Sequence, residues 1–408
     1  MRIKLSNMVE RIIWVLIVAL LFSFTAFESN KYISIFLFII TSFIFLLDLM
    51  YNKMTDSLKI NLFHLWMLTF AGYCFLSALW ANESELALEK GFTIIQILVC
   101  VSIIFNHYSK SFNIELLLSS IEYAGYMLTI FAVLYYGVGY IKQTLAYGIR
   151  LSSEFANINS VAMACASAII ISIYRNIYNK KKILFKLPLI LLSLLIIAAS
   201  GSRKALVILI LGITSLYLFK YASGSFFKIF LKLLIILGAL ALFFYVILSM
   251  QMFEMLNERM EGLIALITGT GNIDHSAWLR QEYTRIGLEQ FFKTPFCGIG
   301  IANACLLLLQ HFGHKTYLHN NYVELLAGGG LIGTSIFYSM YIYIIYKLKS
   351  NWSEYRNEKI VVLILLLLQL TMDFGSVSYY SKTTYFNLII IFLFVKYGKR
   401  MVYYNEKN

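Results

Sequence analysis

Charged residues are scarce in this sequence. Asp, Glu, Lys and Arg together make up 13% of the 408 residues, whereas roughly a quarter of a typical soluble domain is charged. Proline is nearly absent, since Pro188 and Pro295 are the two examples. Hydrophobic residues instead account for 60% of the chain. This balance excludes a single soluble core and predicts that lipid is the solvent for much of the surface.

The hydrophobic residues gather in runs long enough to cross a bilayer, which takes about 20 residues of helix. Ile12–Phe27 is followed closely by Ile33–Met50 with no small-residue cleavage site, which argues against a cleaved signal peptide. We therefore predict an all-α, polytopic membrane protein of about twelve transmembrane helices. The predicted helices are 11–28, 32–50, 62–80, 91–107, 116–138, 157–178, 187–200, 204–220, 231–251, 321–346, 360–378 and 384–397.

The formal net charge of +13 does not indicate a nucleic-acid partner. Basic residues such as Lys180–Lys182 are spread over alternate short connections, as insertion topology requires. The positive-inside rule then puts both termini in the cytoplasm. In this topology residues 1–251 carry helices one to nine, residues 252–320 form one long extracytoplasmic loop, and residues 321–408 carry the last three helices and a cytoplasmic tail.

The long loop has a sequence pattern of its own. Met252–Ile267 and Ser276–Phe292 mix apolar and charged residues at helical spacing, which predicts two amphipathic helices joined by a turn at 268–274. Loops of this length are usually functional or disordered, and the aromatic and aliphatic content argues against disorder. The sequence leaves open whether Cys297 and Cys305 pair. We therefore expect the chemistry on the extracytoplasmic side.

Several arginines lie on that side. Arg203 follows the tight Gly201-Ser202 turn and begins the next predicted helix. A helix N-terminus with an adjacent guanidinium attracts anions and binds phosphate oxygens in bidentate fashion, so a diphosphate is the expected ligand. Arg280 and Arg285 lie on the loop helix, and Arg150 lies before helix six. The alternative for each arginine is an anchor that reaches to lipid headgroups.

A second polar group lies where the long loop enters helix ten. It reads His319-Asn320-Asn321-Tyr322-x-Glu324. The positive end of a helix favours the neutral imidazole, which can accept a proton as a general base. Either asparagine can cap the helix, and Glu324 can reach the first turn. The alternative is an ordinary interfacial histidine beside a capping asparagine.

Two further polar features are weaker signals. His311, His314 and His319 lack a convincing accompanying carboxylate or cysteine set, so we predict no metal ion and no cofactor. Asp373 is an acid within the apolar run of helix eleven. It is expected either at the membrane interface or paired with one of the arginines, since charges inside membrane proteins are usually compensated.

These residues together resemble the O-antigen polymerase and ligase family of bacterial membrane glycosyltransferases. The strongest match is Tyr317–Glu324 followed by Gly330–Gly333, which resembles the family's His-Asn motif ahead of a Gly-Leu-Ile-Gly helix. Ser200–Arg203 is similar to its Ser/Thr-x-Ser/Thr-Arg turn, and Arg280 through Gly300 is similar to its segment from an arginine to Pro-x-x-Gly-x-Gly. The resemblance covers approximately residues 195–335.

The resemblance implies a substrate and a site. Members move a glycan from undecaprenyl diphosphate to a sugar hydroxyl outside the cytoplasmic membrane. His319 would then take the proton of the acceptor hydroxyl. Arg203 and Arg280, with Arg150 as a weaker third, would contact the diphosphate without a metal. The candidate supporting residues are Asn320, Tyr322, Glu324, Arg285 and Asp373.

Four functions remain open, and one of them is a non-catalytic membrane partner in polysaccharide assembly. A polymerase joins lipid-linked repeat units of a surface polysaccharide, and richness in Lys, Ile, Asn and Tyr favours it through its association with low-GC genomes. A ligase moves the glycan to lipopolysaccharide core or another acceptor. A lipid-linked glycan flippase also fits the helix count, although candidate residues confined to one surface favour an enzyme. Other polysaccharide assembly proteins are further candidate partners.

Overall fold

The computed structural model describes residues 2–27, 31–51, 60–111, 113–147, 149–152, 154, 156–221, 275–349 and 356–407. All regular structure in these ranges is helical, as predicted. The helices are α1 (Arg2–Ala26), α2 (Lys31–Tyr51), α3 (Leu62–Ser77), α4 (Ser84–Ser111), α5 (Ile114–Ala146), α6 (Ile158–Asn179), α7 (Leu187–Ser200), α8 (Arg203–Tyr221), α9 (His275–Lys293), α10 (Ala304–Phe312), α11 (Asn321–Lys349), α12 (Arg356–Asp373) and α13 (Lys382–Lys407).

The predicted helices coincide with α1 to α8 and α11 to α13, and the predicted loop helix Ser276–Phe292 coincides with α9. The short helix α10 was not predicted. The predicted ninth helix at 231–251, the first loop helix Met252–Ile267 and the turn at 268–274 lie outside the described residues. The predicted helix 360–378 was too long, because the helix ends at Asp373 and a turn follows.

Membrane character is clear among the described helices. Five stretches are long and apolar enough to cross a bilayer. They are Met8–Ala26, Ser84–Ser109, Ile114–Ala146, Ile158–Asn179 and Asn321–Leu348. Shorter apolar helices lie at Tyr32–Ile44, Leu62–Ser77 and Leu184–Ser200. The number of about twelve spans stays a prediction.

The chain divides into two compact units. The first comprises Met1–Asp48 and Glu115–Asp274, and the second comprises Leu49–Ile114 and His275–Asn408. In the first unit α6 packs against α7 and α8. In the second unit α3 packs against α4, and α11 packs against both α3 and α9. Each unit therefore combines an early and a late part of the chain.

A buried ion cluster holds three segments of the first unit together. Glu122 of α5 is fully buried and receives hydrogen bonds from Arg175 of α6 and from Lys186, the residue before α7. Arg175 also pairs with Glu115 at 2.7 Å. Two acids thus balance two bases, as buried charge in a membrane protein requires. Lys186 and Arg175 therefore serve packing as well as the predicted topology.

In the second unit, α11 is broken at a glycine against an irregular loop. Gly330 has φ 61° and ψ −163°, outside the helical range. The loop after α9 fills the break, because Leu331 N–H donates to the carbonyl of Pro295 at 2.8 Å. A Cβ at Gly298 would lie 2.4 Å from the carbonyl oxygen of Gly328. Glycine at both positions lets the two backbones touch, which fixes the loop and α9 beside α11.

Candidate functional site

His319 lies two residues before α11 and has an unusual backbone. Its φ is +57°, in the left-handed region that non-glycine residues seldom adopt. The residue is partly exposed, and two tyrosine rings lie near its own ring. The centroid of Tyr317 is 4.2 Å away at 49°, and that of Tyr283 is 6.2 Å away at 13°. The imidazole therefore has two aromatic neighbours that restrict its plane.

The residue after the histidine caps the helix. The side-chain oxygen of Asn320 accepts hydrogen bonds from the N–H groups of Tyr322 at 3.0 Å and Val323 at 3.3 Å. These are two of the helix donors that have no partner within the helix. Of the two asparagines that the sequence offered as caps, Asn320 is the one used. Its neighbour His319 is thereby placed at the positive end of α11.

The chain on the other side of the histidine is held by Glu324. This carboxylate is 4% exposed and accepts the N–H of Leu318 at 2.8 Å. Leu318 lies three residues before α11, so Glu324 holds the segment that leads into the helix. The left-handed conformation of His319 is bracketed by an anchored amide before it and a helix cap after it, so the histidine is held on both sides.

Asn321 ties the start of α11 to the connection between α12 and α13. It is fully buried, and its oxygen accepts the N–H groups of Ser378 at 2.8 Å and Tyr379 at 3.0 Å. Its amide donates to the hydroxyl of Tyr338 at 2.9 Å, which in turn donates to Asp373 at 2.9 Å. This series of hydrogen bonds ties the start of α11 to α12 and to the connection that follows it.

Asp373 belongs to that network. Its carboxylate also accepts the hydroxyl of Ser378 at 2.6 Å and the amide of Gln369 at 3.0 Å. These donors are neutral hydroxyl and amide groups, and pairing of Asp373 with an arginine stays a prediction. Tyr322 supports the same region, since its hydroxyl donates to the carbonyl of Leu370 at 2.8 Å.

The two arginines of α9 have different surroundings. Arg280 is partly buried and lies on the face of α9 that carries Gly287 two turns later. That face meets the start of α11, because a Cβ at Gly287 would lie 2.4 Å from Val323. Arg285 points elsewhere, is 54% exposed, and bonds Glu282 at 2.8 Å. Its charge is largely offset, whereas Arg280 lies on the side of the candidate base.

Two carboxylates on α9 pair with the exposed guanidinium of Arg285. It also bonds Glu289 at 2.5 Å, one turn along the helix. The hydrogen bonds that Arg285 donates to Glu282 and Glu289 raise its pKa above the usual value. A guanidinium with two acids on its own helix is a weaker phosphate ligand than one without them. The proposed supporting role of Arg285 is therefore the least favoured of the predicted set.

The first unit brings Arg150 and Arg203 to one turn. α7 ends at Ser200, Gly201 adopts the left-handed conformation with φ 59°, and α8 begins at Arg203. Arg203 is 8% exposed. Arg150 donates to the carbonyl of Ser200 at 2.9 Å and to Asn159 at 2.8 Å. The turn predicted to present Arg203 at a helix start is confirmed, and Arg150 stabilises it.

Some sequence-predicted groups are engaged otherwise. His311 and His314 each direct one ring nitrogen to a backbone carbonyl near their own helix end. Within the ranges described, no group of three or more His, Cys, Asp or Glu is arranged around a common metal position. Cys297 and Cys305 are free thiols.

Sequence reasoning missed two tyrosines of the second unit. Tyr283 contacts His319, and Tyr338 links Asn321 to Asp373. One signal was available for Tyr283, since it follows Arg280 by three residues and so shares a helix face with it. No local signal exists for Tyr338, whose partner lies in the next helix.

The helices, the arginine that begins α8 and the histidine held before α11 define the chain as a helical membrane protein with a candidate site for an anionic substrate. A family model described as O-antigen ligase matches residues 188–338, which contain Arg203, Arg280 and His319. Residues 188–338 are therefore similar to that family model, and the resemblance to the O-antigen ligase and polymerase family is confirmed. The family implies an enzyme of ligase or polymerase type. No curated protein matches the chain.

Proposed function

We propose that the protein is a metal-independent membrane glycosyltransferase that moves a glycan from undecaprenyl diphosphate to a sugar hydroxyl. We favour polymerisation of a surface polysaccharide such as O-antigen, capsule or exopolysaccharide. The observation that carries the proposal is the state of His319. A histidine held in a left-handed conformation between an anchored amide and a helix cap, within the matched segment, is what a pre-positioned base requires.

The proposed chemistry divides between a base and cations. His319 takes the proton as the acceptor oxygen attacks the anomeric carbon. The bond from that carbon to the diphosphate oxygen breaks, and attack opposite the leaving group inverts the centre. In the second unit, Arg280 stabilises the charge that develops on the diphosphate. In the first unit, Arg203 is a further candidate diphosphate ligand, and Arg150 supports the turn that carries it. Arginine suits this role because its planar fork matches phosphate oxygens.

The proposed setting follows from the charge pattern. The protein lies in the bacterial cytoplasmic membrane with both termini inside and its site outside. Its donor is a lipid-linked oligosaccharide, and its acceptor is a second lipid-linked glycan. Assembly proteins of the same polysaccharide are candidate partners.

A ligase is the second candidate, because the matching family model carries that description. The two reactions share the donor and differ in the acceptor. A ligase would transfer the glycan to lipopolysaccharide core or to another acceptor that is not lipid-linked through diphosphate. The acceptor is therefore the variable that separates them.

The test uses purified protein in nanodiscs with lipid-diphosphate glycan, no nucleotide and EDTA present. We expect the glycan to lengthen when only the lipid-linked substrate is supplied, which a ligase would not do. His319→Gln should slow turnover at least about a hundredfold while donor binding stays near normal, in line with loss of a general base. His311→Gln is the matched control and should retain activity.

Three results would overturn the proposal. Near-normal turnover by the His319→Gln protein would show that His319 is not the general base. Loss of activity in EDTA that a divalent ion restores would show that the reaction requires a metal. Movement of lipid-linked glycan across vesicles without any new glycosidic bond would indicate a flippase.

A further inference from the structure

Tyr283 is a buried tyrosine beside the candidate base. It lies on α9 and is 4% exposed. It belongs to an apolar cluster with Ile286, Leu318 and Val323, which joins α9 to the start of α11. Burial raises the pKa of its hydroxyl, so the side chain stays a neutral phenol at physiological pH.

Both ends of this tyrosine are held. Its ring is nearly parallel to the ring of His319, at 13° and 6.2 Å between centroids. Its hydroxyl lies 3.1 Å from Nε2 of His314. The other nitrogen of His314, Nδ1, lies 3.2 Å from the carbonyl of Phe312, which can only accept. Nδ1 therefore carries the proton, Nε2 accepts, and the hydroxyl of Tyr283 donates.

We propose that Tyr283 is a positioning residue for His319, and that His314 acts through Tyr283 by fixing its hydroxyl. The inference rests on the proposed function of His319 as the base. A left-handed backbone sets the direction of the histidine side chain, and the orientation of the ring depends on its contacts. Tyr283 limits rotation of the ring through its nearly parallel contact, and the Tyr317 ring is a second neighbour at 4.2 Å. A displacement of about 1 Å in a reacting group can cost about a hundredfold in rate.

The first experiment separates the ring from the hydroxyl in the nanodisc assay. Tyr283→Leu removes the ring and should lower kcat about 10- to 100-fold, with KM within about twofold, because orientation and not binding is lost. Tyr283→Phe keeps the ring and should recover most of the rate, staying within about fivefold of the natural protein. A purely structural role would be excluded if kcat falls in Tyr283→Leu, KM changes little, and Tyr283→Phe recovers the rate with an unchanged melting temperature.

A double-mutant cycle tests the link to His314. His314→Ala should lower kcat by about the same factor as Tyr283→Phe, and the double variant should be no slower than either, since one hydrogen bond is lost in all three. His311→Ala is the matched control and should leave kcat unchanged. Additive losses, or no loss for His314→Ala, would overturn the link.

A second readout does not depend on glycan transfer. Diethyl pyrocarbonate modifies accessible neutral imidazoles, and mass spectrometry gives the rate at His319. Tyr283→Leu should raise this rate severalfold by uncovering one face of the ring, whereas Tyr283→Phe should not change it. An unchanged rate in Tyr283→Leu overturns the positioning inference. The expected change in a protein that forms no glycosidic bond would uphold the contact and overturn the proposed function.

Discussion

Replacement of Glu324 tests whether the bracketed conformation of His319 matters. Glu324→Ala would remove the acceptor of the Leu318 N–H, which now lies 2.8 Å from the carboxylate. Leu318 is fully buried, so water cannot readily replace the lost partner. The residue that follows it is His319, with its φ of +57°. Loss of the carboxylate should therefore release the segment that carries the candidate base.

The expected size follows from two opposing free energies. Leaving a buried N–H without its acceptor costs about 1–3 kcal/mol, and a left-handed conformation costs a non-glycine residue about 1–2 kcal/mol. Because the two are similar, the bond to Glu324 offsets the strain at His319. Losing about 2 kcal/mol would shift the population of the held conformation about 30-fold, at 1.4 kcal/mol per factor of ten. Glu324→Gln keeps a neutral acceptor and should lose about 1 kcal/mol, or about fivefold.

Two measurements check this prediction. Hydrogen exchange of the Leu318 amide should accelerate about 30-fold in Glu324→Ala and about fivefold in Glu324→Gln, because local opening follows the same free energies. Turnover should fall by similar factors while donor binding changes little. Equal exchange rates in all three proteins would refute the offset between the hydrogen bond and the strain. Faster exchange with normal turnover would show instead that the conformation of His319 is irrelevant to the reaction.

Three further predictions test other parts of the structure. Gly298→Ala should prevent stable folding, since its Cβ would meet a backbone oxygen at 2.4 Å. Gly313→Ala is also at positive φ but has nothing within 4 Å, so backbone strain should lower its free energy of unfolding by only about 1–2 kcal/mol. Equal melting temperatures of the two variants would contradict this difference. Arg280→Ala should slow glycan transfer about a hundredfold. Arg285→Ala should keep the rate of glycan transfer within about twofold, because exposed ion pairs contribute little. If Arg285→Ala were the slower variant in the nanodisc assay, Arg285 and not Arg280 would be the phosphate ligand. In a cysteine-free background, a cysteine at Gly313 should react with an impermeant maleimide added outside intact cells and one at Lys181 should not; reaction at Lys181 alone would invert the topology.

The parts of the site that the sequence predicted are those with local causes. The Gly201-Ser202 turn before Arg203 and the cap by Asn320 depend on residues within one helical turn, and each was visible in the sequence. Helix positions followed from apolar runs for the same reason. Helix ends were less accurate, since the end of α12 depends on Asp373 and its contacts.

The parts that could not be predicted arise between distant segments. Tyr338 and Asp373 are 35 residues apart, and nothing in either neighbourhood indicates the other. Tyr283 and His314 are 31 residues apart and meet because α10, a helix too short to leave a clear periodic pattern, lies between them. Asp373 read as a charge in need of an opposite charge, and the structure surrounds it with hydroxyl and amide donors.

The start of α11 and the residues just before it are held by three sets of contacts, which bears on mechanism. Tyr283 of α9 contacts His319, Asn321 bonds the connection after α12, and Glu324 accepts the N–H of Leu318. A residue that only anchored a lipid headgroup would gain nothing from such restraint, because headgroups are mobile and tolerate many side-chain positions. A general base does gain, since proton transfer requires its nitrogen within hydrogen-bond reach of one particular oxygen. The restraint around His319 therefore favours catalysis over anchoring, and losses in this network should appear in kcat before they appear in substrate binding.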